Sequence, residues 1–300
     1  METVATAVEE AFQDGMIDEL RRAHARDGLS AEVIRVFSTV IHGHAATRFR
    51  RLPWRETVDP YRILVSEIML QQTQVERVVE KYRAFIARFP DFATLADAPL
   101  ADLLAAWQGL GYNRRAINLQ SAARQAVDQW EGILPPDPAL LATLPGIGRY
   151  TAAAVCVFAF NMPVALIETN IRAVYIHCFF GDREKIADRE LLPLVEATLD
   201  REEPRLWFNA LMDYGSELKR AAANPARRSA HHSRQSAFQG SNRQVRGMLL
   251  KQLLAEGPAS CEELSSILQR PIDQVSSALG QMAAEGFVRE DGPLWQITPG

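Results

Sequence analysis

Apolar residues recur every three to four positions through most of the chain, the spacing that gives one face of an α-helix. Val8 to Ala25 carries such a stripe in an acidic background that ends at Asp27-Gly28, and Ala31 to Thr47 carries another. Pro53 then pushes Leu52 out of helical geometry. Pro60 opens a pattern that continues from Tyr61 to Phe89 as one or two helices and stops at Pro90. Leu100 to Gln108 ends at Gly109 and Gly111, Arg115 to Trp130 follows, and Pro135-Pro136-Asp137 starts a short helix. Helical patterns over 150–160, 170–179, 189–199 and 206–218 complete the body. No sustained period-two alternation occurs before residue 240, so the main body is expected to be all-α.

Asn224 to Ser241 is polar, basic and short of hydrophobic anchors, which predicts a loop or linker. After it come three short helical patterns (245–254, 260–268 and 271–285). A two-strand hairpin over Asp291-Gly292 follows them. That order is the order of a winged helix. The expected organisation is an acidic helical extension at 1–30, an all-α body of two subdomains at 31–217, a basic loop at 218–241 and a winged-helix-like module at 242–300.

Composition changes this picture little: 47% hydrophobic and 23% charged residues describe an ordinary soluble chain. Three cysteines, Cys156, Cys178 and Cys261, with no CxxC, predict neither a disulfide framework nor a cysteine metal site. The N-terminus has no basic segment followed by an apolar core, and the most apolar stretch, 152–160, is too short to span a bilayer. A cytoplasmic protein with no membrane contact is expected. The net charge of −4 hides its distribution, because residues 1–30 carry all of it, with seven acids and three arginines. Residues 218–255 hold eight basic residues and no acid, a local footprint suited to phosphate. Of the 33 basic residues only four are lysines: Lys81, Lys185, Lys219 and Lys251.

The first chemical signal is Leu144-Pro145-Gly146-Ile147-Gly148-Arg149-Tyr150-Thr151, two glycines placed just before a helix. Glycine lets the backbone turn tightly and approach a ligand, and a helix start offers free N–H groups to an anion. A bare GxG is more often a plain interhelical turn. The preceding Leu-Pro and the following small-residue helix favour the phosphate site, and the stretch resembles a helix-hairpin-helix element that grips the DNA backbone. Further segments extend the resemblance: 52–55 (Leu-Pro-Trp-Arg), 61–75 with Ser66-Glu67-Ile68-Met69-Leu70-Gln71-Gln72-Thr73-Gln74, 107–112 (Trp-Gln-Gly-Leu-Gly-Tyr), 114–119 and Met212-Asp213-Tyr214-Gly215. From about Ala31 to Leu218 the chain resembles the helix-hairpin-helix DNA glycosylases of the endonuclease III superfamily, most closely the adenine mismatch (MutY) type.

Glu67 stands in an apolar run, Leu64, Val65, Ile68, Met69 and Leu70. Burial disfavours the charged carboxylate, which suits a general acid; without the motif, a surface Glu on an amphipathic helix would be the default. The resemblance implies that Glu67 protonates a flipped adenine, so that the base departs and water is activated. Glu168 stands where the family carries an aspartate that stabilises the cationic sugar, and Asn170 matches the residue that assists it. The extra methylene displaces the carboxylate, and small displacements can cost large factors in rate. Tyr150 occupies the place of the lysine nucleophile of bifunctional members, and no lysine lies between Lys81 and Lys185, which predicts a monofunctional enzyme. Arg55 matches an active-site arginine, with an ordinary surface role equally open. Gln71, Gln72, Thr73, Leu110 and Tyr112 match positions that wedge into the duplex or contact the opposing base. The place of Leu110 and Tyr112 beside Gly109 and Gly111 predicts exposure. Pro145, Gly146, Gly148, Arg149 and Thr151 would bind the DNA backbone.

The chain also departs from the family. The four cysteines of its usual [4Fe–4S] cluster fall at Lys219, Ala226, Ser229 and Gln235, none a thiolate, so no iron–sulfur cluster and no other cofactor or metal is expected. His231 and His232 read as loop residues. Arg220, Arg227, Arg228 and Arg234 keep positive charge there, with packing as the scaffold. The third helix of the winged-helix-like module contains Asp273 and Glu285 and no basic residue, so a protein contact or a purely packing role is at least as open as a DNA contact. For the acidic N-terminal helix a solvated face is the default. The expected activity is hydrolysis, in base-excision repair, of the N-glycosidic bond of adenine mispaired with 8-oxoguanine or guanine. The expected partner is double-stranded DNA with mismatched or oxidised pairs, bound by a monomer. A thymine or uracil mismatch glycosylase on the same scaffold, or a catalytically weakened DNA-binding protein, are the alternatives.

Overall fold

A computed structural model describes residues 2–220, 224–232 and 238–299, with the side chains of 2–14 left aside. Gln235 and Arg234 lie outside the described residues. In chain order the helices are α1 (Glu2–Asp27), α2 (Ala31–Arg48), α3 (Pro60–Leu70), α4 (Val75–Arg88), α5 (Phe92–Asp97), α6 (Leu100–Trp107), α7 (Arg114–Trp130) and α8 (Pro138–Leu141). They continue with α9 (Arg149–Phe160), α10 (Thr169–Phe179), α11 (Asp188–Thr198), α12 (Pro204–Arg220), α13 (Asn242–Glu256), α14 (Cys261–Leu268) and α15 (Ile272–Ala284). The strands are β1 (Ala259–Ser260), β2 (Val288–Asp291) and β3 (Leu294–Ile297). The chain forms two compact units, Met1–Arg55 with Ala152–Arg234 and Glu56–Thr151 with Gln235–Gly300. The body expected at 31–217 contributes to both units.

In the first unit α10 is the centre, and Ile171, Ala173, Val174, Tyr175, Ile176 and Cys178 on it are all fully buried. Such burial contributes about 1.5–3 kcal/mol for each large apolar side chain. Phe37 of α2 meets Tyr175, Phe179 and Trp207 at ring separations of 5.1, 5.1 and 5.8 Å. The acidic face of α1 is solvated as expected, with Asp18, Glu19 and Asp27 exposed, and the opposite face is docked. Ile17, Leu20 and Ala23 of α1 are buried, and Arg21 donates from Nε to the His177 carbonyl at 3.1 Å. An apolar stripe spaced three residues apart docks the helix, whatever the charge on its other face.

Within the basic loop, residues 224–232 are packed rather than a free linker. Pro225 and Ala226, in a 3-10 turn over Pro225–Arg228, are buried. The Ile186 N–H donates to the Arg228 carbonyl at 3.0 Å and the Ala230 N–H to the Ile186 carbonyl at 2.9 Å. These two bonds bracket a parallel bridge between Ile186 and Ser229.

In the second unit α3 is buried from Ile63 to Met69. Asp59 caps its start by accepting from the Tyr61 N–H, and Pro60 sits in the first turn, where its missing donor is harmless. The pattern over 61–89 resolves as two helices because the chain breaks at 71–74, where Gln72 is left-handed with φ 57°. The sequence pattern left out α5, a single turn and a half capped by the Asp91 side chain on the Thr94 N–H. The C-terminal module has the helix and strand order of a winged helix: β3 pairs antiparallel with both β2 and β1, with Trp295 opposite Glu290 and Ala259. Val245, Leu249, Leu264, Val275, Leu279 and Phe287 form its core. No helix among the described residues is long and apolar enough to cross a membrane.

Candidate active site

Glu67 lies in the middle of the buried face of α3 and is 8% exposed. A carboxyl held out of water in an apolar wall is the arrangement a general acid needs. At the end of α3, Gln71 Nε2 donates to Thr151 Oγ1 at 3.3 Å, which joins the helix to the first turn of α9. Gln72 is exposed, and Thr73 Oγ1 donates to the Leu110 carbonyl at 3.3 Å. Tyr112 is half-buried and, like Gln72, left-handed, with φ 48°. Non-glycine residues hold this conformation only where their surroundings impose it.

One residue binds both loops. Arg115, in the first turn of α7, donates from Nη1 to the Ile68, Met69 and Gln71 carbonyls. From Nη2 it donates to Thr73 Oγ1 at 3.1 Å and to the Leu110 and Gly111 carbonyls at 3.1 and 2.9 Å. Burial pulls its pKa down to about 10, so the guanidinium keeps its charge at neutral pH. The exposure expected of Leu110 is not found: it is 3% exposed. Its N–H bonds the Trp107 carbonyl and its own carbonyl is clamped by Arg115, so the glycines on either side turn the chain while the leucine points inward.

At the hairpin, Leu144 and Ile147 are buried, Pro145 is half-buried, and Gly146, Gly148 and Arg149 are exposed. Gly146 has φ 74°, and a Cβ there would stand 2.6 Å from Asn118 Cβ, so glycine is required on both counts. Gly148 faces open space, which leaves its backbone approachable. Tyr150, half-buried, stands in the first turn of α9, and Thr151 is 4% exposed.

The first unit carries the other residues. Glu168 is the N-cap of α10, with Oε1 accepting from the Asn170 and Ile171 N–H groups at 2.7 and 2.9 Å. Asn170 Nδ2 donates to Oε2 at 3.1 Å. The extra methylene is absorbed by folding the side chain back on its own helix from extended backbone, φ −131° and ψ −177°. The carboxylate thus sits at the positive end of the helix dipole. Gly215 of α12 presses on this turn, since a Cβ there would fall 2.1 Å from the Asn170 carbonyl oxygen.

Arg55 is not the ordinary surface arginine that the sequence left open. Its side chain is 6% exposed, and Nη1 and Nη2 grip the two oxygens of Asp213 at 2.8 and 2.9 Å. Arg50 joins the same carboxylate through its backbone N–H and its Nε. Burial raises the Asp213 pKa, but the Arg55 and Arg50 bonds and charge outweigh it and hold the carboxyl below the usual aspartate range. Arg55 is a buried tie between the segment after α2 and α12. Asp213 and Gly215, like Arg115, were overlooked as individuals; the signal was their presence inside the segments 212–215 and 114–119.

The residues at the places of the usual cluster do not fit it. Lys219 is half-buried in the last turn of α12, and Ala226 and Ser229 are 3% and 7% exposed, engaged by packing and by the bridge to Ile186. Cys156 and Cys178 are buried in α9 and α10, with burial pushing the Cys178 thiol up to about 12. Cys261 lies in the C-terminal module. Three dispersed thiols cannot supply a four-thiolate site.

A helical body, a glycine hairpin opening a helix, a buried glutamate on α3 and a helix-capping carboxylate define a helix-hairpin-helix glycosylase fold. Residues 65–197 match the family described as HhH-GPD superfamily base excision DNA repair protein. An adenine DNA glycosylase of Mycolicibacterium smegmatis is 35% identical over 261 residues, which cover 80% of this chain and 88% of that protein. Among solved structures, a thermostable thymine-DNA glycosylase superposes with a TM-score of 0.56 at 27% identity, covering 64% of this chain and 90% of its own. Endonuclease III in a trapped covalent complex with DNA shares the fold, with a TM-score of 0.50 at 21% identity, over 64% of this chain and 87% of its own. The chain belongs to the HhH-GPD superfamily of base excision DNA repair proteins.

Proposed function

We propose that this protein is a monofunctional DNA glycosylase that hydrolyses the N-glycosidic bond of adenine mispaired with 8-oxoguanine or guanine in double-stranded DNA, and that it works without an iron–sulfur cluster. The observation that carries the reading is Glu67, a carboxyl 8% exposed on an apolar helix; the similarity to an adenine DNA glycosylase over 88% of that protein's length supports it. In this reading Glu67 gives its proton to the adenine ring, and the base leaves with the electrons of the glycosidic bond. The carboxylate of Glu168, fixed on the α10 amides, balances charge on the sugar, and water adds its oxygen to the sugar carbon and gives its proton back to the Glu67 carboxylate. Tyr150 has no amine with which to attack the sugar, so strand cleavage does not accompany base release.

A second reading, removal of thymine or uracil opposite guanine, draws on the likeness to the thymine-DNA glycosylase structure. The deciding experiment is single-turnover base release from duplexes carrying A opposite 8-oxoguanine, A opposite G, T opposite G and U opposite G, each read with and without alkali. Adenine release alone, with breaks only after alkali, is expected. Thymine or uracil release would establish the second reading. Duplex binding without any release would leave a DNA-binding protein.

A further inference from the structure

We propose that the C-terminal module, through Arg243, positions the Tyr112 loop for the duplex. Arg243 is thereby assigned as a positioning residue, which rests on the reading above that this loop meets DNA. Tyr112 is left-handed at φ 48° and needs its surroundings to hold it. From its own helix, Arg115 brings a guanidinium 5.6 Å from the ring centroid. From α13, Arg243 donates Nη1 to the Tyr112 hydroxyl and brings its guanidinium 5.2 Å from the same ring. A hydrogen bond at the ring's tip and a cation–π contact on the ring fix both its swing and its tilt.

One more contact fastens the module to the residues after the loop, and a second steadies it from within the module. Arg114 Nη1 donates to the Glu285 carbonyl at 2.9 Å. The Glu285 carboxylate takes both Nη atoms of Arg246 at 2.7 and 2.8 Å, and the Arg246 guanidinium lies 5.7 Å from the Phe287 ring centroid. The helix that a winged helix commonly offers to DNA, α15, has no basic residue here. The arginines of α13 are instead engaged on Tyr112 and on the Glu285 corner beside it. The geometry is that of a brace for the loop.

The test uses the full chain with Arg243→Ala, Tyr112→Phe and the double variant. In DNA-free protein, amide exchange over 107–114 should quicken about five- to tenfold in Arg243→Ala, the range expected when contacting residues are uncoupled, with exchange in the first unit unchanged. On DNA, the preference for mispaired over matched duplex and the single-turnover release rate should fall together by a similar factor. The double variant should be no worse than Arg243→Ala alone, because both remove one interaction. Arg243→Lys, which keeps charge but lacks the planar fork, should not rescue. Unchanged loop exchange in Arg243→Ala overturns the proposal. So does an equal loss of affinity for matched and mispaired duplex with a salt slope lowered by about one, the mark of a phosphate contact. If Arg243→Ala loses its cooperative melt, Tyr112→Phe carries the test, and wild-type exchange in that variant overturns the proposal. If the wild type releases no base, the glycosylase reading fails while the exchange measurement still decides whether Arg243 braces the loop.

Discussion

The two units hold a charge by opposite means. In the first, Asp213 is an anion surrounded by two arginines, and the ties it makes run across more than 150 residues of sequence. In the second, Arg115 is a cation whose hydrogen-bond acceptors among the described residues are carbonyl oxygens and one hydroxyl, most of them within one α3 end and one loop. The ion pair joins distant chain segments strongly but is lost if either charge is lost. The carbonyl clamp fixes the shape of two loop tips and has no acidic group to titrate. Stability and loop geometry are thus assigned to different chemistry in different units.

The largest expected effect is on activity and concerns the second unit. Glu67→Gln should lower base release by about 10²–10⁴-fold, the usual contribution of a positioned general acid, with duplex affinity kept. Near-wild-type release by this variant would remove Glu67 from the mechanism. Next, Asp213→Ala should cost about 3–5 kcal/mol in urea unfolding, because it leaves Arg55 buried without its partner. The sign with pH follows from the depressed folded pKa of Asp213. Its stabilisation is complete above the ordinary aspartate range and fades as pH falls through the lower folded value, so wild type and variant should converge below about pH 4. A constant gap down to pH 2 would mean that packing, and not the ion pair, is what the variant removes.

Gly215→Ala should destabilise by about 1–3 kcal/mol, because the new methyl must displace the Asn170 backbone. It should also slow base release if the Glu168–Asn170 turn acts in catalysis. A variant that is less stable but equally fast would separate the turn from the chemistry. Arg115→Lys keeps a charge but cannot reach six acceptors, and about 1–2 kcal/mol should be lost from unpaired carbonyls. Wild-type loop exchange in that variant would show that the clamp does not set the loops. The smallest stability change is expected of Glu168→Asp, a few tenths of a kcal/mol, since aspartate is an ordinary N-cap. The rate is the informative measurement there. A faster enzyme would mean the longer carboxylate is a poor fit, and a slower one that the turn is built around it.

The helical body, the hairpin and the winged-helix-like order were legible because helical periodicity, Pro and Gly are local signals. Glu67, Glu168, Tyr150 and the hairpin residues could be singled out because they stand in dense motifs. Leu110 shows the limit: glycines on both sides predict a turn, but which way the middle side chain points depends on Trp107, Thr73 and Arg115, none of which adjoins it. Arg55 shows another, because a surface arginine, a ligand contact and a buried tie read alike until its carboxylate is known.

What the sequence by itself determined is therefore the set of elements and the chemistry available to them: a buried-type glutamate, a carboxylate before a helix, a glycine hairpin followed by Tyr150 and not a lysine, and three cysteines, too few for a four-thiolate cluster. What only the tertiary structure decided is which charges neutralise which. Asp213 with Arg55 and Arg50, Arg115 with the ends of α3 and the 110–112 loop, and Arg243 with Tyr112 are partners brought together by packing. Their energies depend on distance and burial in three dimensions, and sequence spacing carries no record of either.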